Sequence, residues 1–335
     1  VEATIYSLTV GDETGPAAGA GRKGRLLRFE PGAYRAVGVE CEGRFARVGL
    51  ADMAGGVQAR ETIELGDFAR TRDLSPLAAA IRRMCAAANG APVLGVCIGF
   101  PANLDPDAAA IVSYAAMDIQ QPTSFAQVFP AFWREVELPV YLENDANLAC
   151  EGEAFLRRGA GGAANMLYLS IGSGCGGAVR LDGKLRRGAR CRAGEVGAML
   201  LQPALGAPGR SAARETLEDA VCLAALERRF GAALRDGAQP GEASAQAMRD
   251  YLCGPLSGAV YSLVMTLDVE LCVLAGIVPG ALGMQLCTQV SEALRAALPE
   301  STPVRVEPSV SADAGVIGAA ATVFERSLDA LLGSG

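Results

Sequence analysis

The sequence predicts a duplicated, two-lobed α/β fold, and three observations predict it. The order strand, strand, strand, helix, strand occurs twice along the chain. Each copy contains a short, near-continuous apolar run, VLGVCIGF at 93–100 and LCVLA at 271–275, the pattern of a strand covered on both faces in a parallel sheet. Both copies place glycines where strands end, and ligands of open α/β sheets gather outside the carboxyl ends of strands.

Composition allows this arrangement. The 335 residues suffice for two lobes with a core each. Half of the residues are apolar and 20% are charged, a globular rather than a disordered balance. The longest apolar runs, such as 271–278, fall far short of a bilayer span, and no signal-peptide pattern opens the chain. The ten cysteines form no C-x-x-C pair and read as small buried hydrophobes. A cytoplasmic body is the expectation. The net charge of −7 excludes a surface-wide nucleic-acid glove. Any DNA contact must come from a local element such as Arg22, Lys23, Arg25 and Arg28, although a solvated basic turn is the simpler reading of that cluster.

The elements follow in order. Residues 2–10 and 25–29 read as strands around a Gly/Ala-rich tip, a wing-like hairpin too small to fold alone. Strands at 34–41 and 45–53 turn about Gly43, with a third near 57–59. Residues 74–89 have helical spacing and stop at Asn89-Gly90. The second copy has strands at 167–171, 177–181 and 184–185, then helices at 215–236 and 242–267. The strand at 271–275, a helix at 281–297, a strand at 304–306 and a final helix at 314–332 complete it. This is a ribonuclease-H-like lobe used twice, the actin-like ATPase architecture, with a cleft between the lobes for ligands.

Residues 141–199 carry the chemistry. Glu143-Asn144-Asp145-Ala146-Asn147 precedes a helix-like stretch. The strand at 166–171 empties into Gly172-Ser173-Gly174-Cys175-Gly176-Gly177, and Ala193-Gly194-Glu195 follows. Taken alone, the first block is a helix N-cap and the second a tight glycine turn, more often structural than a phosphate cradle.

In this order and spacing the blocks resemble the ROK family of sugar kinases and transcriptional repressors, over residues 22–325. Further matches are 95–101 (GVCIGFP) with Asp105, 273–276 (VLAG) and 313–320 (DAGVIGAA). The resemblance implies a sugar site of Gly99, Asn144, Asp145 and Glu195. It implies a phosphate-loop-like segment of Gly172, Ser173, Gly174, Gly176 and Gly177, and Gly276 on the adenosine side. Asp145 would be the general base of a kinase, or a hydroxyl acceptor in a regulator. The stretch GRKGRLLRFEPGAYRAVGVE resembles the join between a winged helix-turn-helix and the first lobe strand of the family's repressors. On that resemblance residues 1–35 are a wing and linker remnant, and DNA is engaged by a module upstream of Val1. The same resemblance gives one lobe of residues 36–142 plus 316–335, a second of residues 143–315, and a homodimer.

Two departures shape the expectation. Family kinases place an Asp, glycines and a small hydroxyl residue in the first β-turn; here that turn is Glu40-Cys41-Glu42-Gly43-Arg44. Glu42 sets an anion where a phosphate would approach. Family members also carry a His after the acidic turn and clustered cysteines beyond it. This chain has Ala198, no cysteine in 200–219 and no histidine anywhere, so structural zinc is not expected, and the lost His touches sugar affinity too. Tyr114-Ala115-Ala116-Met117 stands where the family has a further sugar-contacting Asn. The expected function is therefore a ROK-type regulator that senses a sugar or sugar phosphate and needs no cofactor. The alternative is an ATP- and magnesium-dependent sugar kinase with Asp145 as base. A bare dimerisation scaffold is the third reading.

Overall fold

The computed structural model describes residues 29–158, 164–201, 215–231, 234 and 240–332. The chain begins with a meander of β1 (Arg35–Glu42), β2 (Phe45–Asp52) and β3 (Val57–Glu64). Gly43, at φ +58°, closes the β1–β2 turn. After α1 (Phe68–Thr71) and α2 (Ser75–Ala87), β4 (Val93–Phe100) runs parallel to β1. A small antiparallel sheet follows, formed by β5 (Asn103–Asp105), β6 (Ala110–Ser113) and β7 (Thr123–Ser124). Then come α3 (Phe125–Val128), α4 (Pro130–Glu135) and β8 (Val140–Asn144), which pairs parallel to β4.

The helix α5 (Asp145–Leu156) leads into the second half. There β9 (Met166–Ile171), β10 (Cys175–Leu181) and β11 (Lys184–Arg186) form another meander. Helices α6 (Leu217–Val221), α7 (Leu223–Phe230) and α8 (Glu242–Leu267) precede β12 (Leu271–Ala275). The described chain ends with α9 (Ile277–Leu282), α10 (Met284–Ala297), β13 (Arg305–Pro308) and α11 (Ala314–Leu332).

The two large sheets have the same construction. Their orders are β3-β2-β1-β4-β8 and β11-β10-β9-β12-β13, with an antiparallel hairpin on one side of the lead strand and parallel strands on the other. This is the actin-like ATPase architecture expected from the sequence. Each sheet has its own apolar core. In the first, Phe68, Tyr114, Phe125 and Phe129 ring Phe100 with centroids 5.5–5.8 Å away, mostly edge-on.

Helices α5 and α11 hold the halves together. A Cβ on Gly152 would lie 1.8 Å from the Ala314 carbonyl oxygen, and one on Gly318 would lie 1.8 Å from that of Leu148. Only glycine allows the backbones to pass so closely.

Some local expectations need correction. The run at 215–236 is two helices, because Cys222 between α6 and α7 is extended at ψ 162°. The helix at 281–297 is interrupted at Gly283, φ +70°. The third strand continues from Val57 to Glu64. The wing-like strands and the basic cluster of Arg22, Lys23, Arg25 and Arg28 lie outside the described residues. Among the described residues no helix is long and apolar enough to cross a membrane.

Candidate functional site

Strands β4 and β8 end side by side, with Gly99 opposite Glu143 and Phe100 opposite Asn144. Asn144 caps α5. Its Oδ1 accepts from the Asn147 N–H at 3.1 Å and its Nδ2 donates to the Ala102 carbonyl at 3.2 Å. The capping reading of this motif therefore holds for Asn144. Asp145 is the first residue of the helix, where the helix dipole favours an anion. Burial nevertheless pushes its carboxyl up to about 6; the Ala146 N–H opposes this, and Glu42 and Glu195 add to it. Gly99 makes room for this residue, since a Cβ there would sit 3.3 Å from the Asp145 Cα.

Behind Asp145 lies Glu143, almost wholly buried and fully engaged. Its Oε1 accepts from the Asn144 N–H and from Asn147 Nδ2, both at 2.9 Å, and its Oε2 from Arg187 Nε at 2.6 Å. Arg187 belongs to the segment that carries Glu195. There Gly194, at φ +97°, presses on β10 so tightly that a Cβ would lie 2.4 Å from the Gly177 carbonyl oxygen. The Glu195 carboxyl is raised by burial, with Arg192 pulling it down, Glu218 pushing it up and the Asn103 side chain lowering it. The Asn103 amide satisfies its surroundings when Nδ2 faces Glu195 Oε1 at 2.6 Å and the Cys191 carbonyl at 3.2 Å, with Oδ1 accepting from Ser113 Oγ at 3.0 Å.

The glycine loop lies opposite the β1–β2 turn. Within it the Gly172 N–H turns inward to the Gly174 carbonyl at 2.9 Å. The Cys175 N–H donates to Glu218 Oε2 at 2.8 Å. Carboxylates stand on both sides. Glu42 Oε1 is 3.3 Å from where a Cβ on Gly172 would be, and Glu218 Oε2 is 2.9 Å from the same point on Gly174. Gly176 faces Ala146 at the start of α5. Gly276, at φ +92°, packs on the Ile171 backbone behind the loop and begins α9.

Arg47 is the cation of this half, 3.1 Å from Glu40 Oε2 and 3.4 Å from Glu42 Oε2. The approach to Glu40 is within ion-pair range but is not a well-directed hydrogen bond to that oxygen. Burial pushes Glu40 up to about 7, against the pull of Arg47 and with a further push from Glu42 and Asp145.

Of the expected site residues, Gly99 packs on Asp145, which lies within electrostatic reach of Glu195 and Glu42, and Asn144 caps the same helix. Gly172 and Gly174 lie against Glu42 and Glu218, Gly176 and Gly177 pack instead against Ala146 and the Gly194–Val196 turn, and Gly276 packs behind the loop on Ile171. Sequence reasoning missed Arg47, Asn103, Arg187 and Glu218, and it named Glu143 within its block without giving it a role. Among the described residues no three His, Cys, Asp or Glu side chains are arranged to hold a metal ion.

Comparison with known proteins gives this geometry a context. Residues 36–326 match the ROK family. The glucokinase of Halalkalibacterium halodurans is 34% identical over 141 residues, 40% of this chain and 40% of its own length. The β-glucoside kinase of Listeria monocytogenes is 35% identical over 146 residues, 43% of this chain and 46% of its own. The xylose repressor of Caldicellulosiruptor bescii is 33% identical over 105 residues, 31% of this chain and 25% of its own. In each case the match spans less than half of the relative's length. Among solved structures, a ROK hexokinase from Thermus thermophilus superposes with a TM-score of 0.68 at 26% identity, covering 88% of this chain and 99% of the hexokinase. A ROK family transcriptional regulator, a homolog of the E. coli MLC protein, gives 0.71 at 17% identity, covering 91% and 81%, a likeness of fold.

Proposed function

This chain belongs to the ROK family, and on that premise we propose that it is the effector-binding body of a ROK-type transcriptional regulator rather than a working kinase. The observation that carries the reading is Glu42. Its carboxylate lies against Gly172, the first glycine of the loop that would have to receive phosphate, and an anion there, paired with Arg47 only at 3.4 Å through its far oxygen, opposes every phosphate oxygen. The other half of the cleft keeps what a polyol needs: Asp145 and Glu195 as acceptors. A neutral sugar hydroxyl donates to a carboxylate without needing a cation beside it.

In this reading the sugar bridges the β8–α5 junction and the Glu195 turn, favours the closed cleft, and so shifts the population of lobe arrangements presented to a DNA-binding module ahead of the lobes. A winged helix-turn-helix leading into residues 1–35 is that module, and a homodimer is the unit that reads DNA. The reading includes no structural zinc, because the donor set lacks histidine and Ala198 stands at the ligand position.

The kinase reading has one observation of its own. Asp145, raised to about 6, is poised as a base near neutral pH, and glucokinase and β-glucoside kinase are among the relatives. A coupled ATPase assay with D-glucose, D-xylose and N-acetyl-D-mannosamine, run beside calorimetry with the same sugars, separates the two. We expect binding heat that Asp145→Asn abolishes, and no sugar-dependent turnover. Turnover that disappears in Asp145→Asn would make the chain a kinase.

A further inference from the structure

We infer that Asn103 is a positioning residue of the sugar site, which holds Glu195 across the cleft as a charged acceptor and ties its availability to cleft closure. The inference rests on the proposed reading of the cleft, in which Glu195 grips the ligand.

Asn103 begins β5, on the small sheet of the first half, whereas Glu195 follows β11 of the second. Between them runs a closed circuit in which each donor meets an acceptor. Arg192 Nη2 donates to Ser113 Oγ at 3.2 Å. Ser113 Oγ donates to Asn103 Oδ1 at 3.0 Å, and Asn103 Nδ2 donates to Glu195 Oε1 at 2.6 Å and to the Cys191 carbonyl at 3.2 Å. The Ser113 hydroxyl gives the amide its sense, because it has a proton to donate once its lone pair faces the Arg192 guanidinium. Only an amide completes this circuit. A carboxylate at 103 would face Glu195 with like charge, and an aliphatic side chain would reach neither partner.

The neighbouring residue joins this circuit to the other acceptor. Ala102 accepts from Asn144 Nδ2 at 3.2 Å, and Asn144 caps the helix that Asp145 begins. Residues 102 and 103 therefore hold both ligand-facing turns by one short segment. The bond from Asn103 occupies Oε1 of Glu195 and leaves Oε2 for a hydroxyl. The charged groups around Glu195 are Arg192 on its own turn, Glu218 from α6 and Asp145 from α5. Arg192 and the Asn103 amide favour the ionised carboxylate, and Glu218 opposes it. Opening the cleft removes the amide and leaves Glu195 facing Glu218.

The test uses the whole chain and two readouts. In calorimetry with D-glucose, D-xylose and N-acetyl-D-mannosamine, Asn103→Ala weakens binding about tenfold. In a Glu195→Gln background the same change adds little, since the charged acceptor it positions is gone. The pH at which affinity fails on acidification moves upward in Asn103→Ala, because its Glu195 protonates more readily, and in a Glu195→Gln background, where Asp145 alone still titrates, Asn103→Ala no longer moves it.

Without any sugar, a carbon-13 NMR titration of the glutamate carboxyls, assigned by the Glu195→Gln spectrum, shows Glu195 titrating at higher pH in Asn103→Ala. Ser113→Ala, which frees the amide without removing it, moves Glu195 the same way by less. An unmoved Glu195 titration, or an Asn103→Ala loss that persists undiminished in Glu195→Gln, overturns the inference while the cleft reading stands. Wild-type affinity in Glu195→Gln overturns both.

Discussion

The two halves of this molecule use one construction and end their lead hairpins differently. In the first sheet β1 turns into β2 through Glu42, Gly43 and Arg44. In the second, β9 turns into β10 through Gly172, Ser173 and Gly174. The strands on either side pair alike, antiparallel within the hairpin and parallel to the next strand inward. The tips meet across the cleft, Glu42 against Gly172. The difference teaches that a duplicated frame does not fix chemistry. One tip is glycine backbone and the other sets a carboxylate against it, while the Gly172 and Cys175 N–H groups bond to Gly174 and Glu218 rather than to Glu42.

The largest expected effect comes from breaking the frame that opposes the tips. At Gly318 any Cβ falls 1.8 Å from the Leu148 carbonyl oxygen and 2.7 Å from the Gly152 nitrogen, both backbone atoms that cannot turn aside. Gly318→Ala should lower unfolding stability by about 3 kcal/mol in urea melts. A glycine with open space sharpens the contrast. Gly258 in α8 has no atom within 4 Å of its would-be Cβ, and Gly258→Ala should raise stability by roughly 0.5–1 kcal/mol. Equal effects at the two sites would mean that the α5–α11 crossing is not the joint described.

A smaller effect follows from making the first tip resemble the second. Glu42→Gly removes the carboxylate facing Gly172 and frees the turn backbone. Titration with an ATP analogue and magnesium should then show binding that the wild type lacks, at millimolar strength, since Arg44 still replaces a small hydroxyl residue and Glu218 still holds the Cys175 N–H. Wild-type protein that binds the analogue as well as the variant would remove Glu42 from the argument.

Much of this frame is legible in the sequence, for a physical reason. The buried strands at 93–100 and 271–275 are apolar on both faces, and α8 runs from Glu242 to Leu267, as its spacing predicts. The small sheet β5–β7 is not legible, because strands of two to four residues are too short to display alternation. Within the site, Asp145 and Glu195 come from recognisable blocks. Glu218 sits in a run that reads as a helix start, and its Thr216 and Asp219 neighbours do form a capping box; nothing local says that its carboxylate reaches the Cys175 N–H, 43 residues away. Asn103 is equally silent, since its partners on the Glu195 turn come from a distant part of the chain and meet it only in the folded molecule.

A pH-dependent effect concerns the cost of gathering carboxylates at these tips. Glu40 and Asp145 are both raised, to about 7 and about 6, chiefly by burial. A carboxyl whose folded value lies above its unfolded one binds its proton more tightly in the native state, so its contribution to stability is complete below the ordinary carboxylate range. That contribution is lost as pH rises through the folded value. Wild-type stability should therefore fall between about pH 4 and pH 8. Glu40→Gln fixes the neutral form. It should be more stable than wild type at pH 8 by on the order of 1–2 kcal/mol, less than the full shift implies because Arg47 loses a partner. The gain should vanish near pH 4. Asp145→Asn should flatten the lower part of the same slope, and the double variant most of it. Thermal melts across that range decide the matter. A wild type that grows more stable toward pH 8, or a Glu40→Gln variant no more stable than wild type at pH 8, would show that Arg47 already compensates Glu40 fully, and the first tip would then present a satisfied ion pair to the glycine loop rather than an excess of negative charge.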